Sequence, residues 1–354
     1  MDRRNLTDRS IRTLPRSIPV AAAQRPRQDA AVIAPPTLHR LLPALLAALA
    51  LPLAACDSCG KPGVAPPDAA PSALAPPTSA APPVPSAAPD AGVAPAPTVA
   101  RPKPRCPRDM VLVKDRYCVD RYEAVLVDAK SEQELSPYYP PVRKAATSMA
   151  TLWEEQRFTM GDEEAQQMPL PLLPEWQRSR DFEPKAVSRK GATPQGYANG
   201  NVAAVACKAA GKRLCSLDEW RTACRGEEDR QFPYGDKYVD GRCNVFRDAH
   251  PAMVLHGNAS LGHNDPRLNQ VKSNGKPLLR KTGETATCYS RWGEDAVADM
   301  VGNLDEWVED PKGAFAGGFY SRSKKDGCDS IVRAHGNDYW DYSTGVRCCA
   351  DPPP

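Results

Sequence analysis

The stretch AGKRLCSLDEWRTACRG, residues 210–226, holds a helix with both of its ends marked. Ser216 stands three residues before Glu219, the S-x-x-E spacing in which each side chain accepts from the other residue's backbone N–H. Gly226 follows the last apolar position and supplies the stop. Between them Leu217, Trp220 and Cys224 recur at steps of three and four, so one face is buried and Cys224 lies on it. Just upstream, VAAVACKAA (202–210) reads as another helix, with Asn201 as its cap and Gly211 just past its end. The two are joined by a short extended KRLC.

Further out the pattern changes. CPRDMVLVKDRYCVDRYEA (106–124) has β-rich runs at Met110–Val113 and Tyr117–Val119 around a polar turn. Cys106 and Cys118 sit at the ends of this hairpin, which suggests a local bridge between them. From Val125 to Asn199 the prolines at 137, 140, 141, 169, 171 and 174 break any long period. Loops are expected there, with one short amphipathic helix near Ala145–Arg157.

The N-terminal part has another composition. LLPALLAALALPLAA (41–55) is too short to cross a bilayer comfortably but suits a signal-peptide core. Leu53-Ala54-Ala55-Cys56 resembles the bacterial lipobox, which implies cleavage before Cys56 and acylation of that cysteine. From Lys61 to Arg105 the chain is built almost wholly of Ala, Pro, Ser, Val, Thr and Gly, which cannot bury enough apolar surface to fold. The expected organisation is a leader with signal peptide at 1–55, a lipidated terminus and tether at 56–105, and a globular domain at 106–354. That implies export and lipid anchoring to the bacterial cell envelope, periplasmic or surface-exposed.

The formal charge is only +3, from 46 basic and 43 acidic residues, and no basic stripe with interleaved aromatics occurs, which argues against a nucleic-acid partner. Ten of the twelve cysteines fall in 106–354, an even number that an exported domain oxidises into bridges. Zinc fits poorly, because that region has no C-x-x-C pair and Cys348 and Cys349 are adjacent.

AGKRLCSLDEWRTACRG, FPYGDKYVDGRCN (232–244), DMVGNLDEWVED (299–310), FAGGFY (315–320) and TGVRCCAD (344–351), together with YCVDRYEA (117–124), resemble in order the landmarks of the formylglycine-generating enzyme family, the sulfatase-modifying factor domain. The resemblance implies an α+β fold, the family's variant of the C-type lectin fold, with little regular secondary structure and many disulfides. It pairs Cys207 with Cys348, and Cys224 with Cys328, the nearest candidate to the family position. The partners of Cys215, Cys243, Cys288 and Cys349 stay open.

Converging hard oxygens on a tight loop suit calcium. The family pattern implies one calcium on the side chains of Asp299 and Glu306 with the carbonyls of Gly302 and Leu304. It implies the start of a second at Asn244 and the Val245 carbonyl, with no secure downstream acidic ligand. The family's oxidase holds Cu(I) on two cysteines after the double glycine, and soft thiolates select that ion. Here those positions are Arg322 and Gly327, the serine after the double glycine is Phe319, and the tryptophan before the calcium glutamate is Asp305. Copper and formylglycine generation are therefore not expected, while His250, His256, His263 and His335 leave iron open, without a known ligand spacing. Asp305, Tyr320, Arg322 and His335, with Tyr339, Trp340 and Tyr342 nearby, are the candidate surface for a peptide or glycan ligand. The reading is thus a calcium-stabilised, membrane-anchored module binding an envelope protein or glycan; the alternative is a metal-dependent oxidoreductase of the same superfamily.

Overall fold

The computed structural model describes residues 105–322 and 324–353. The leader, Cys56 and the tether up to residue 104 lie outside them. The strands Met110–Val113, Tyr117–Asp120, Cys348–Ala350 and Arg213–Leu214 form, in that order, an antiparallel sheet. A second sheet runs Ile331–Val332, Ala314–Ala316, Asp305–Val308 and Thr344–Gly345, the last pairing being parallel. Hairpin strands Tyr289–Trp292 and Asp295–Ala298 pair separately.

The helix Leu217–Arg225 has the reciprocal capping box, with Glu219 N–H to Ser216 Oγ at 3.2 Å and Ser216 N–H to Glu219 Oε2 at 2.9 Å. Trp220 and Cys224 are fully buried on its inner face. The preceding helix is Gly200–Ala209, and its cap is Asn199, whose side chain accepts from the Val202 N–H at 2.8 Å. The expected Asn201 lies instead within the first turn, two residues too late to receive that bond. The helix near 145–157 spans Arg143–Gln156.

The expected loops between 125 and 199 are partly wrong. Ala124–Asp128 pairs along its whole length with Pro184–Ser188, and short helices occupy Glu163–Gln167 and Glu175–Ser179. Pro184 is tolerated because it opens its strand at a sheet edge, where no ladder N–H is required.

Disulfides join Cys106 to Cys118, Cys207 to Cys348, Cys215 to Cys349, Cys224 to Cys328 and Cys243 to Cys288, so all ten described cysteines are paired. The adjacent Cys348 and Cys349 serve different partners because successive strand residues face opposite ways. Cys348 joins Cys207 in a cluster with Trp307 and Phe315, while Cys349 joins Cys215 in one with Trp220 and Phe232. The final strand therefore divides two apolar cores, each held by large side chains whose burial contributes about 1.5–3 kcal/mol apiece.

Candidate functional site

Strand Asp305–Val308 is buried throughout, and alternation sends Asp305 and Glu306 to opposite sides of it. This single register separates two polar clusters.

On the inner side Glu306 meets Arg347. Nε donates to Oε1 at 2.9 Å and to Oε2 at 2.7 Å, and Nη2 donates to Oε1 at 2.6 Å. Trp220 Nε1 donates to Oε2 at 2.7 Å, and Arg347 also donates to the carbonyls of Asp120 and Ala298, both at 2.8 Å. Asp299 Oδ2 accepts from the Gly283 N–H at 2.6 Å. Burial pushes the Asp299 carboxyl up to about 7, against the opposing pull of that N–H and of Arg347. Glu123 accepts from Asn303 Nδ2 at 2.6 Å and from the Leu304 N–H at 3.2 Å. Burial, with Asp299 and Glu306 as like charges nearby, holds Glu123 well above the usual carboxylate range.

The residues expected to ligate calcium gather around one turn, where Asn244 bridges to Gly302. Asp299 and Glu306 share one buried region, but both Glu306 oxygens are held by Arg347 and Trp220, so a guanidinium already supplies the positive charge. Asn244 is tied to the same loop: its Nδ2 donates to Leu278 O and Asn303 Oδ1, both at 2.9 Å, and its carbonyl accepts from the Asn303 N–H at 2.8 Å. Val245 packs in the apolar core. Gly302, at φ +83°, fits only because it lacks a Cβ, which would stand 2.3 Å from the Asn244 carbonyl oxygen. Among the side-chain oxygens of this group, Asn244 Oδ1 is buried without a hydrogen-bond partner. Among the described residues no group of three or more His, Cys, Asp or Glu side chains is arranged to hold a metal ion.

On the outer side Asp305 accepts from the Gly318 N–H at 3.0 Å and forms an ion pair with Arg322. Burial raises the Asp305 carboxyl to about 6, with Arg322 pulling the other way. The Arg322 guanidinium also lies over the Phe319 ring, 5.4 Å from its centroid. The second position that would need a thiol, Gly327, sits at φ +59°, where an added Cβ would come 2.4 Å from the Gln231 carbonyl oxygen. A cysteine there requires the backbone to move, and the neighbouring Cys328 is bonded to Cys224.

The expected ligand surface needs correction. Tyr320 and Asp305 are fully buried, not exposed. Tyr320 donates to Asn269 Oδ1 at 2.9 Å, which satisfies its hydroxyl inside the core. Arg322 keeps 19% of its side chain exposed, and His335 is half-buried, stacked 3.7 Å from Tyr339. Of the other candidate histidines, His250 and His263 are neighbours, with ring centroids 6.5 Å apart. His250 and His263 flank Tyr342, with His250 Nε2 3.1 Å from the Tyr342 hydroxyl, while His256 is stacked on Trp153 beside Asp265. Glu123 and Arg347 were missed as site residues, although both stand inside motifs that invite attention, YCVDRYEA and TGVRCCAD.

Residues 153–351 match the sulfatase-modifying factor enzyme 1-like domain, and the chain belongs to that family. Its fold is the α+β, disulfide-rich variant of the C-type lectin fold. Comparison with curated proteins gives no match. Among solved structures the chain is similar to the Major Tropism Determinant I1 variant, at 14% identity and TM-score 0.35 over 71% of this chain and 54% of the other. It thus spans about half the length of that protein. PvdO from Pseudomonas aeruginosa is similar at 15% identity and TM-score 0.30, over 67% of this chain and 80% of its own. CarF is similar at 11% identity and TM-score 0.31, over 67% and 87%.

Proposed function

We propose that this chain is a lipid-anchored protein of the bacterial cell envelope whose sulfatase-modifying-factor-like domain binds a ligand or partner and does not oxidise cysteine. The observation that carries the reading is the Arg322–Asp305 ion pair, which stands where the family's oxidase has a copper thiolate and a tryptophan. A guanidinium neither binds Cu(I) nor engages a substrate thiol. What it offers instead is a partly exposed cation over Phe319, whose charge reaches Tyr339, suited to a carboxylate-bearing or aromatic partner. Ten paired cysteines support an exported, oxidised domain. The anchor at Cys56 rests on the lipobox-like LAAC and its apolar run.

The test incubates the purified protein with copper, oxygen and a cysteine-containing sulfatase peptide. The peptide should keep its thiol by mass spectrometry, and formation of formylglycine ends the proposal. Acyl labelling in bacteria should be lost in Cys56→Ser; labelling that persists removes the anchor.

A further inference from the structure

A cavity of about 370 Å³ opens beside the C-terminal end of the helix Leu217–Arg225 and the strand Tyr289–Trp292, within the size range of small-ligand sites. Arg225, Arg230, Arg242 and Arg291 all line it. Two of these are internally compensated, Arg225 by Asp329 at 2.8 Å and Arg230 by Glu228. Arg242 and Arg291 are exposed, and neither has an ion-pair partner among the described residues. Their charges act on the two tyrosines of the wall, Arg242 on Tyr234 and Arg291 on Tyr289.

The wall is rigid. Tyr234 stacks on Phe232, with ring centroids 5.4 Å apart, and its oxygen accepts from the Val239 N–H at 3.1 Å. Tyr289 donates to the Gly283 carbonyl at 3.0 Å. Gly226, at φ +70°, lets the helix end turn tightly past Arg291, where the Glu227 N–H donates to the Arg291 carbonyl at 3.1 Å. Cys243 and Cys288 join the chain just after Arg242 to the chain just before Tyr289. The two free guanidiniums are thus held on covalently linked segments, pre-organised for a ligand.

We propose that this cavity binds a sugar bearing a carboxylate group. Arg242 and Arg291 make charge-assisted hydrogen bonds to the anion. Tyr234 and Tyr289 offer amphipathic rings to the apolar C–H face of the sugar. The Glu227 carboxylate, which lines the same cavity without an ion-pair partner among the described residues, accepts from ring hydroxyls. A bare anion leaves the tyrosines and Glu227 unused, and a neutral sugar leaves the two guanidiniums unused. The assignment is separate from the Arg322 surface and stands whether or not that surface has a ligand.

The experiment is calorimetric titration of the full chain, at constant ionic strength, with sodium D-glucuronate, D-glucose and sodium sulfate. Glucuronate should bind saturably and more tightly than either control. Arg242→Gln and Arg291→Gln should each weaken it by about tenfold, the value of a charge-assisted hydrogen bond, with the circular dichroism spectrum unchanged because both side chains are exposed. No saturable binding of glucuronate, equal binding of glucose, equal binding of sulfate, or unweakened binding in both variants each overturns the proposal.

Discussion

Glu306 and Arg347 are 41 residues apart in the chain and form a three-bond ion pair in its interior, with the guanidinium fully buried and the carboxylate 1% exposed. Burial alone works against the charge on Arg347, and Glu306, Glu123 and Asp299 more than reverse that effect. Two carboxylates beyond the paired one therefore depend on the same cation.

Removing one partner leaves a buried charge uncompensated, so Glu306→Gln should lower unfolding stability by about 3–5 kcal/mol. Urea denaturation measures this directly. The melting temperature of the wild-type protein should not respond to a calcium chelator, because Arg347 already occupies both Glu306 oxygens. A chelator-induced fall that disappears in Glu306→Gln would restore calcium to this position.

Asp299 gives the domain a pH dependence of defined sign. Its folded carboxyl titrates at about 7 against an ordinary 3.8, so between those values the folded state holds more protons than the unfolded chain. Its contribution is fully present below about pH 4 and is lost as pH rises through about 7. Asp120 and Asp305, each raised to about 6 chiefly by burial, act in the same direction. Asp299→Asn fixes the neutral form and should flatten the fall in stability between pH 5 and 7 that chemical denaturation at a series of pH values records. An unaltered slope in that variant rules the residue out as its source.

Rebuilding the oxidase thiols in Arg322→Cys/Gly327→Cys should fail to produce a stoichiometric Cu(I) site in a competition assay. Gly327 is left-handed and pressed against Gln231, so the second substitution should cost about 1–3 kcal/mol in backbone strain alone. A double variant of wild-type stability that binds one Cu(I) per chain would contradict the geometry.

The Cys224–Cys328 bridge spans 104 residues of sequence. Alkylation of the unreduced, denatured protein should leave Cys328 unlabelled. Loss of the bridge in Cys224→Ala/Cys328→Ala should destabilise the domain by up to roughly 4.7 kcal/mol in the chain-entropy account. Labelling of Cys328 before reduction is the contrary result.

What was readable in the chain was mostly local. The Ser216–Glu219 box and the buried face of Trp220 and Cys224 announce themselves within nine residues. The strand Pro184–Ser188 does not, because its partner Ala124–Asp128 lies about 60 residues upstream, beyond helices and prolines that hide any period. The same reason hid the inner cluster: Glu123 and Arg347 look like ordinary charges until folding brings them beside Asn303 and Glu306. Asp305 and Tyr320 misled in the opposite way. A charge and a phenol beside a glycine turn look exposed, yet Arg322 and Asn269 satisfy them inside. The outer positions Arg322 and Gly327 were legible through the family pattern alone, and the structure adds why a thiol cannot simply be returned to the second.

The Cys106–Cys118 bridge stands where the chain enters the domain, and its closed loop contains the whole first strand, Met110–Val113. A pulling force arriving from the N-terminal side therefore bypasses that strand and passes through sulfur into Cys118. Cys118 sits in the strand Tyr117–Asp120, clasped between Met110–Val113 and Cys348–Ala350. The load thus meets a central strand whose neighbour carries two further bridges, at Cys348 and Cys349. Under oxidising conditions tension on the N-terminal side enters the sheet at Cys118, and reduction of that one bridge would hand it to the first strand instead.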